Sequence, residues 1–195
     1  MSLRVLGLDP GTATFGWGMV ESGGERPRYL AHGIITTAPS QSLGERLLQI
    51  RTELTQIARS ERPDRIAIER LFAQGNLQSA VAVAAARGLA LMIAAELLIE
   101  VVEATPSEMK RAIAGDGRAT KSGVIRAVTQ LLNIAGTPLA DDAADALGLA
   151  IWGGGAARMQ QLAGSARLDR SASSGASQES GFDRAVRRAL RGERR

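Results

Sequence analysis

The sequence predicts an α/β fold: a five-stranded mixed sheet flanked by helices. Three observations predict it. Short apolar runs bounded by Gly, Pro or Asp recur at residues 5–8, 17–20, 29–36, 65–69 and 101–104. The first three runs are too close together for an intervening crossover helix and form an antiparallel meander; helical periodicity separates the later ones. At 195 residues and 45% apolar content, the chain can bury the core of one α/β domain but not of two large ones.

In order, Val5 to Leu8 is a strand that ends in Asp9, and Pro10-Gly11 then turns the chain into a second run, Trp17 to Val20. Tyr29 to Thr36 completes the meander. Leu43, Leu47, Ile50, Leu54 and Ile57 fall at steps of three and four, the apolar stripe of an amphipathic helix that Pro63-Asp64 stops. Arg65 to Glu69 is a short buried strand with a second terminal carboxylate, and a crossover brings Glu69 beside Asp9. Leu71 to Gln78 reads as a loop carrying Phe72. Ser79 to Leu98 reads as a long Ala-rich helix whose only charges are Arg87 and Glu96, so it is either deeply buried or a subunit interface. Val101 to Ala104 is a fifth strand; Thr105-Pro106 opens a helix, Gly115-Asp116-Gly117 breaks it, and Thr120 to Leu132 is helical again. The last core helix runs from Leu139 to about Trp152.

Residues 1–157 are therefore expected to form the folded domain. Residues 158–195 are rich in Ser, Gly, Ala and Arg, a composition that builds no core, and are expected to be a flexible tail. Phe182, Val186 and Leu190 lie four apart among arginines there, the pattern of a basic amphipathic segment or of a solvated tail. The net charge of +4 is not spread evenly: between Gly164 and Arg195 eight arginines face four acids, which leaves the body neutral. Bulk charge thus does not by itself identify a nucleic-acid surface. Of 24 basic residues only Lys110 and Lys121 are lysine, a sign that a compact ammonium is wanted in that segment.

The absence of Cys excludes disulfides and thiolate metal sites, and His32, the only histidine, excludes a His-rich zinc site. Any metal is a hard ion held by carboxylates, Mg²⁺ or Mn²⁺ first. No apolar run of membrane-spanning length and no signal-peptide pattern appear, so a cytoplasmic location is expected.

Asp9 can open an Asx-turn with Pro10 and Gly11, or present its carboxylate at the strand end. In LADDAADAL, Asp142 and Asp145 are three apart and share a helix face; Asp141 shares it almost as well, and spacing does not choose between them. Acids in the first turn also stabilise a helix by ~0.3–1 kcal/mol, which accounts for Asp141 and Asp142 better than for Asp145. If these acids meet Asp9 and Glu69, each close pair repels by about 4 kcal/mol at an effective dielectric near 20. Divalent cations relieve that repulsion, and a metal pair suits phosphodiester hydrolysis.

GLDPGT near the start, AIERLF followed by QSA and ARG, and DDAADALGLA near the end resemble the RuvC family of Holliday-junction resolvases, within the RNase H-like superfamily of nucleases and integrases. The resemblance covers about residues 3 to 155. It implies an RNase H-like five-stranded mixed sheet and a homodimer that binds a four-way DNA junction and nicks two strands of like polarity with Mg²⁺, two ions per site. By the same resemblance Asp9, Glu69, Asp142 and Asp145 are metal ligands, Lys121 is catalytic, Phe72 stacks on a junction base, and Lys110 and Lys121 lie near the scissile phosphate. Arg70 pairs with Glu69 or with phosphate. The long Ala-rich helix forms the dimer contact, and a branch-migration motor is the expected partner. Alternatives from the same core are a nuclease acting on RNA or RNA–DNA hybrid, an actin-like ATPase, which would need a second D-x-G half, and a junction binder without cleavage.

Overall fold

The computed structural model describes residues 2–70 and 77–155. The sheet contains β1 (Leu3–Asp9), β2 (Thr14–Ser22), β3 (Arg28–Thr36), β4 (Arg65–Glu69) and β5 (Glu100–Ala104). Their order is β3-β2-β1-β4-β5, with β1 to β3 antiparallel and β1, β4 and β5 parallel. The five-stranded mixed sheet expected from the sequence is thus present. Because β1 is central, Val5 to Leu8 are buried on both faces, which explains a continuous apolar run where an edge strand would alternate.

The helices are α1 (Leu43–Glu61), α2 (Leu77–Glu96), α3 (Pro106–Ala114), α4 (Lys121–Leu132) and α5 (residues 141–155). Side-chain alternation divides the core between the two sheet faces. Leu6, Leu8, Ile66 and Ile68 pack with α1 and α2 on one face; Val5, Val20 and Ala67 pack with α3, α4 and α5 on the other. Asp9 continues the Val5-Gly7 side and Glu69 the Ala67 side, so both acids emerge on the α3-α4-α5 face.

Local sequence sets the helix ends. Ser42 and Glu45, and Thr105 and Glu108, form capping boxes, and Pro106 occupies the first turn of α3. The left-handed residues Arg62, Gly115 and Asn133 close α1, α3 and α4. Several boundaries differ from the sequence reading, among them β2, which spans Thr14–Ser22 rather than Trp17 to Val20, and both ends of α2. α2 runs from Leu77 to Glu96, because Leu98 takes a left-handed φ of 56° and ends the helix. α5 begins at 141, with the Ala140 carbonyl accepting its first bond from the Ala144 amide at 2.9 Å, so Leu139 precedes it. α2 is not deeply buried on all sides. Ala86, Ala90, Ile93 and Ala94 face the core, while Val81, Ala84, Gly88, Met92 and Ala95 form an exposed apolar stripe. No helix of the described residues is long and apolar enough to cross a membrane.

Candidate active site

The site is assembled at the C-terminal edge of the parallel strands. Leu8 of β1 pairs in register with Ile68 of β4, so Asp9 and Glu69, one residue further on, leave adjacent strands side by side. Adjacent strands lie about 4.8 Å apart, close enough for the two carboxylates to interact. The loop after Asp9 is drawn the other way. The Thr37 amide donates to the Ala13 carbonyl (3.0 Å) and its hydroxyl to the Thr12 carbonyl (2.6 Å), fastening residues 12–13 to the end of β3.

The other two acids arrive on α5, which lies against β1 and β2 on three glycines. Gly7 faces Gly18, and Asp9 faces Gly16, across the β1–β2 pair. A Cβ at Gly16 would collide with the Asp142 carbonyl, one at Gly7 with the Ala146 carbonyl, and one at Gly18 would lie 2.7 Å from the Leu147 side chain. With side chains removed from that floor, the helix main chain reaches the sheet and Asp142 and Asp145 stand beside Asp9. The far end of α5 is held by Arg65, only 6% exposed, which donates to the Gly153 carbonyl at 3.1 Å and pairs with Glu100 at 2.6 Å.

Electrostatics shows how closely the groups gather. Burial, then the charges of Asp145, Glu69 and Asp142, push the Asp9 carboxyl up to about 7, with Lys121 opposing. Burial and Asp145 likewise raise Glu69, against Lys110; burial raises Asp145, against Lys121 and Lys110 and with Asp141 and Asp142 adding to it. All four acids and both lysines therefore belong to one electrostatic cluster. Among the described residues, however, no three of these side chains already surround a common point as a closed metal cage. The register of β1 with β4 and the seat of α5 on the glycines place the four carboxylates at one sheet edge, where each raises or is raised by another.

The structure separates Asp141 from Asp142, which spacing left equivalent. Asp141 is exposed and takes Lys121 at 3.3 Å, an ion pair that raises the lysine, while Asp142 acts on Asp9. Arg70 does not pair with Glu69. Its guanidinium, half exposed, turns to Glu103 at 3.8 Å, because the residue after Glu69 points to the opposite sheet face, where Glu103 also binds Arg87 at 2.6 Å. Phe72 lies outside the described residues. Gly7, Gly16 and Gly18 were missed in the sequence; their signal was three glycines placed so that a hairpin would bring them together on one face.

Residues 5–152 match the family described as crossover junction endodeoxyribonuclease RuvC. The chain belongs to the RuvC family. It is similar to the crossover junction endodeoxyribonuclease RuvC of Rubrobacter xylanophilus, 44% identical over 147 residues that span 75% of this chain and 82% of the relative. The RuvC of Thermomicrobium roseum is 43% identical over 149 residues, 76% of this chain and 91% of its own. Among solved structures, Thermus thermophilus RuvC in complex with Holliday junction substrate superposes with a TM-score of 0.76 at 31% identity, covering 81% of this chain and 96% of that one. The yeast mitochondrial Holliday junction resolvase Ydc2, 14% identical with a TM-score of 0.58 over 77% of each chain, shares the fold.

Proposed function

We propose that this chain is a structure-selective endodeoxyribonuclease that resolves four-way DNA junctions in recombination and repair by paired, metal-dependent hydrolysis of phosphodiester bonds. The observation that carries the reading is the gathering of Asp9, Glu69, Asp142 and Asp145 with Lys110 and Lys121 at one sheet edge of a RuvC-family chain.

The donor set fits a hard divalent ion: the four acids offer only carboxylate oxygens, and Asp9, its carboxyl raised to about 7, holds its charge only in part at neutral pH without a compensating cation. Asp9, Glu69, Asp142 and Asp145 would hold two Mg²⁺ ions, with Mn²⁺ able to substitute. Bound there, the ions supply a nucleophilic water and stabilise the charge on the leaving 3′-oxygen. Lys121, 71% exposed at the start of α4, and Lys110 on α3 are the cations that meet the scissile phosphate; their charge steers the backbone toward the acids, which would otherwise repel it. Phe72, three residues past Glu69, is assigned to stack on a junction base, a contact of ~1–3 kcal/mol. Arg70 is assigned to the duplex backbone, for which it would leave Glu103.

Cutting two strands at symmetry-related positions calls for two sites, hence a homodimer. The exposed apolar stripe Val81-Ala84-Gly88-Met92-Ala95 on α2 supports a contact there, since a free helix would carry polar residues on that face. Family resemblance adds a branch-migration motor as a partner. Incubation of the protein with a labelled synthetic four-way junction, with and without Mg²⁺ or Mn²⁺, tests the reading. Paired nicks that require the ion are expected; preferential cutting of an RNA–DNA hybrid, or binding without cutting, would overturn it.

A further inference from the structure

We infer that Gly16 is a positioning residue for cleavage: by lacking a side chain it lets the main chain of Asp142 rest directly on β2, and this contact sets the distance from α5 to Asp9. The inference rests on the metal-dependent reading of the four acids. Gly16 is the cross-strand partner of Asp9, and opposed residues in an antiparallel pair point to the same face. The point where α5 touches the sheet and the point where Asp9 leaves it are therefore one place.

A Cβ at Gly16 would stand 2.6 Å from the Asp142 carbonyl carbon and 3.1 Å from the Asp142 Cβ, and nearer still to the carbonyl oxygen. Ordinary contacts begin near 3.5 Å, so the first turn of α5 must retreat by roughly an ångström to admit even one methyl group. The obstacle is helix main chain, which cannot swing aside as a side-chain tip can. Asp142 sits at the contact and Asp145 one turn further along, so both recede from Asp9 together. Glu69 belongs to β4 and stays where it is. A ligand set spread over two strands and a helix loses its common geometry when the helix alone moves.

Gly7 and Gly18 continue the same floor but meet Ala146, Ala150 and Leu147, none of which is an acid. Gly16 is thus the glycine whose replacement acts most directly on the ligands. A misplacement near 1 Å is enough to cost about a hundredfold in rate.

The test compares the full chain with Gly16→Ala and with Val128→Ala, a cavity variant in the core of α4 on the same sheet face. Three quantities are measured: the Mn²⁺ concentration giving half of the metal-dependent rise in melting temperature without DNA, junction affinity in EDTA, and single-turnover junction cleavage. For Gly16→Ala we expect the half-effective Mn²⁺ concentration to rise by about tenfold, junction affinity to stay within about twofold, and cleavage to fall about a hundredfold. Val128→Ala lowers the melting temperature and leaves the Mn²⁺ dependence unchanged. Adding Asp142→Glu to Gly16→Ala, which lengthens the ligand by one methylene, recovers about tenfold in cleavage, whereas Asp142→Glu alone impairs it. An unaltered Mn²⁺ dependence in Gly16→Ala overturns the role of Gly16. If Gly16→Ala does not fold, Gly18→Ala, whose Cβ would meet the Leu147 side chain at 2.7 Å and the Leu147 amide nitrogen at 2.8 Å, clear of the acids themselves, is measured instead; a rise of about threefold supports the seat and no rise overturns it. A wild-type chain without any divalent-dependent thermal shift overturns the metal site itself, a result separate from either.

Discussion

Asp9 keeps its proton into the neutral range because the fold encloses it and aims three other acids at it. Its carboxyl is raised from 3.8 to about 7, so between those values the folded chain binds a proton that the unfolded chain has released. Metal-free stability is therefore greatest in acid within this window and declines as pH rises from about 4 to 7; the shifts of Glu69 and Asp145 act in the same direction. A difference of that size corresponds to on the order of 4 kcal/mol at Asp9 alone. Thermal melts in EDTA should thus show a lower melting temperature at pH 8 than at pH 5.5, and Mg²⁺ should raise it much more at pH 8. Equal Mg²⁺ shifts at the two values would contradict a cation-relieved cluster. At the same scale, Asp145→Asn should bind a four-way junction as the wild type does and lose more than about a hundredfold in cleavage, measured by gel assay of paired nicks. Phe72→Ala should cut poorly with its Mn²⁺-dependent thermal shift unchanged; equal turnover would remove Phe72 from the junction contacts.

α5 acts as one rigid piece fastened at both ends, on the glycine floor near its start and on Arg65 at its far end. Arg65 is nearly fully buried, while its partner Glu100 is half exposed, so removing the arginine strands chiefly the Gly153 carbonyl. Arg65→Leu should cost about 1–3 kcal/mol, read as a shift in urea midpoint, and relax α5 as a whole. α2 is the complementary case, an element whose inner face is packed and whose outer face is apolar but open. Nothing lies within 4 Å of a Cβ built at Gly88, so a larger residue fits the single subunit there. Gly88→Arg should keep the melting temperature within a few degrees, sediment as a monomer and lose paired nicking; a dimer that persists would place the contact elsewhere.

For the molecule as a whole, two layers of helices hold a sheet whose parallel half delivers acids to one edge, the place where strand C-termini gather functional groups in α/β folds. The basic tail is proposed to lie outside that unit. A chain ending after Ala157 should melt as the full chain does and still nick junctions in the presence of Mg²⁺; failure to fold would place part of 158–195 in the core.

The strand and helix order was legible in the sequence because each element carries its own period and punctuation: Pro63-Asp64 before β4, Thr105-Pro106 at the start of α3, and the break at Gly115. Asp9, Glu69 and Asp145 stood out through their place at strand ends and on a helix face, whereas Asp142 was preferred to Asp141 through the resemblance of DDAADALGLA to the RuvC family. The ends of α2 and α5 were not legible, since Leu98 adopts a left-handed turn and Leu139 stays outside a helix for reasons of context, not of propensity. The partner of Arg70 was hidden as well, because the face a side chain takes after the strand ends depends on where β5 and α2 lie. The sequence by itself determined which chemistry the chain can carry, because a lack of cysteine, a single histidine and four placed carboxylates admit only hard-ion chemistry. Only the tertiary structure decided that Asp141 turns to Lys121 and that Gly16 lets Asp142 stand beside Asp9, because that arrangement is made by how closely one helix can approach one hairpin.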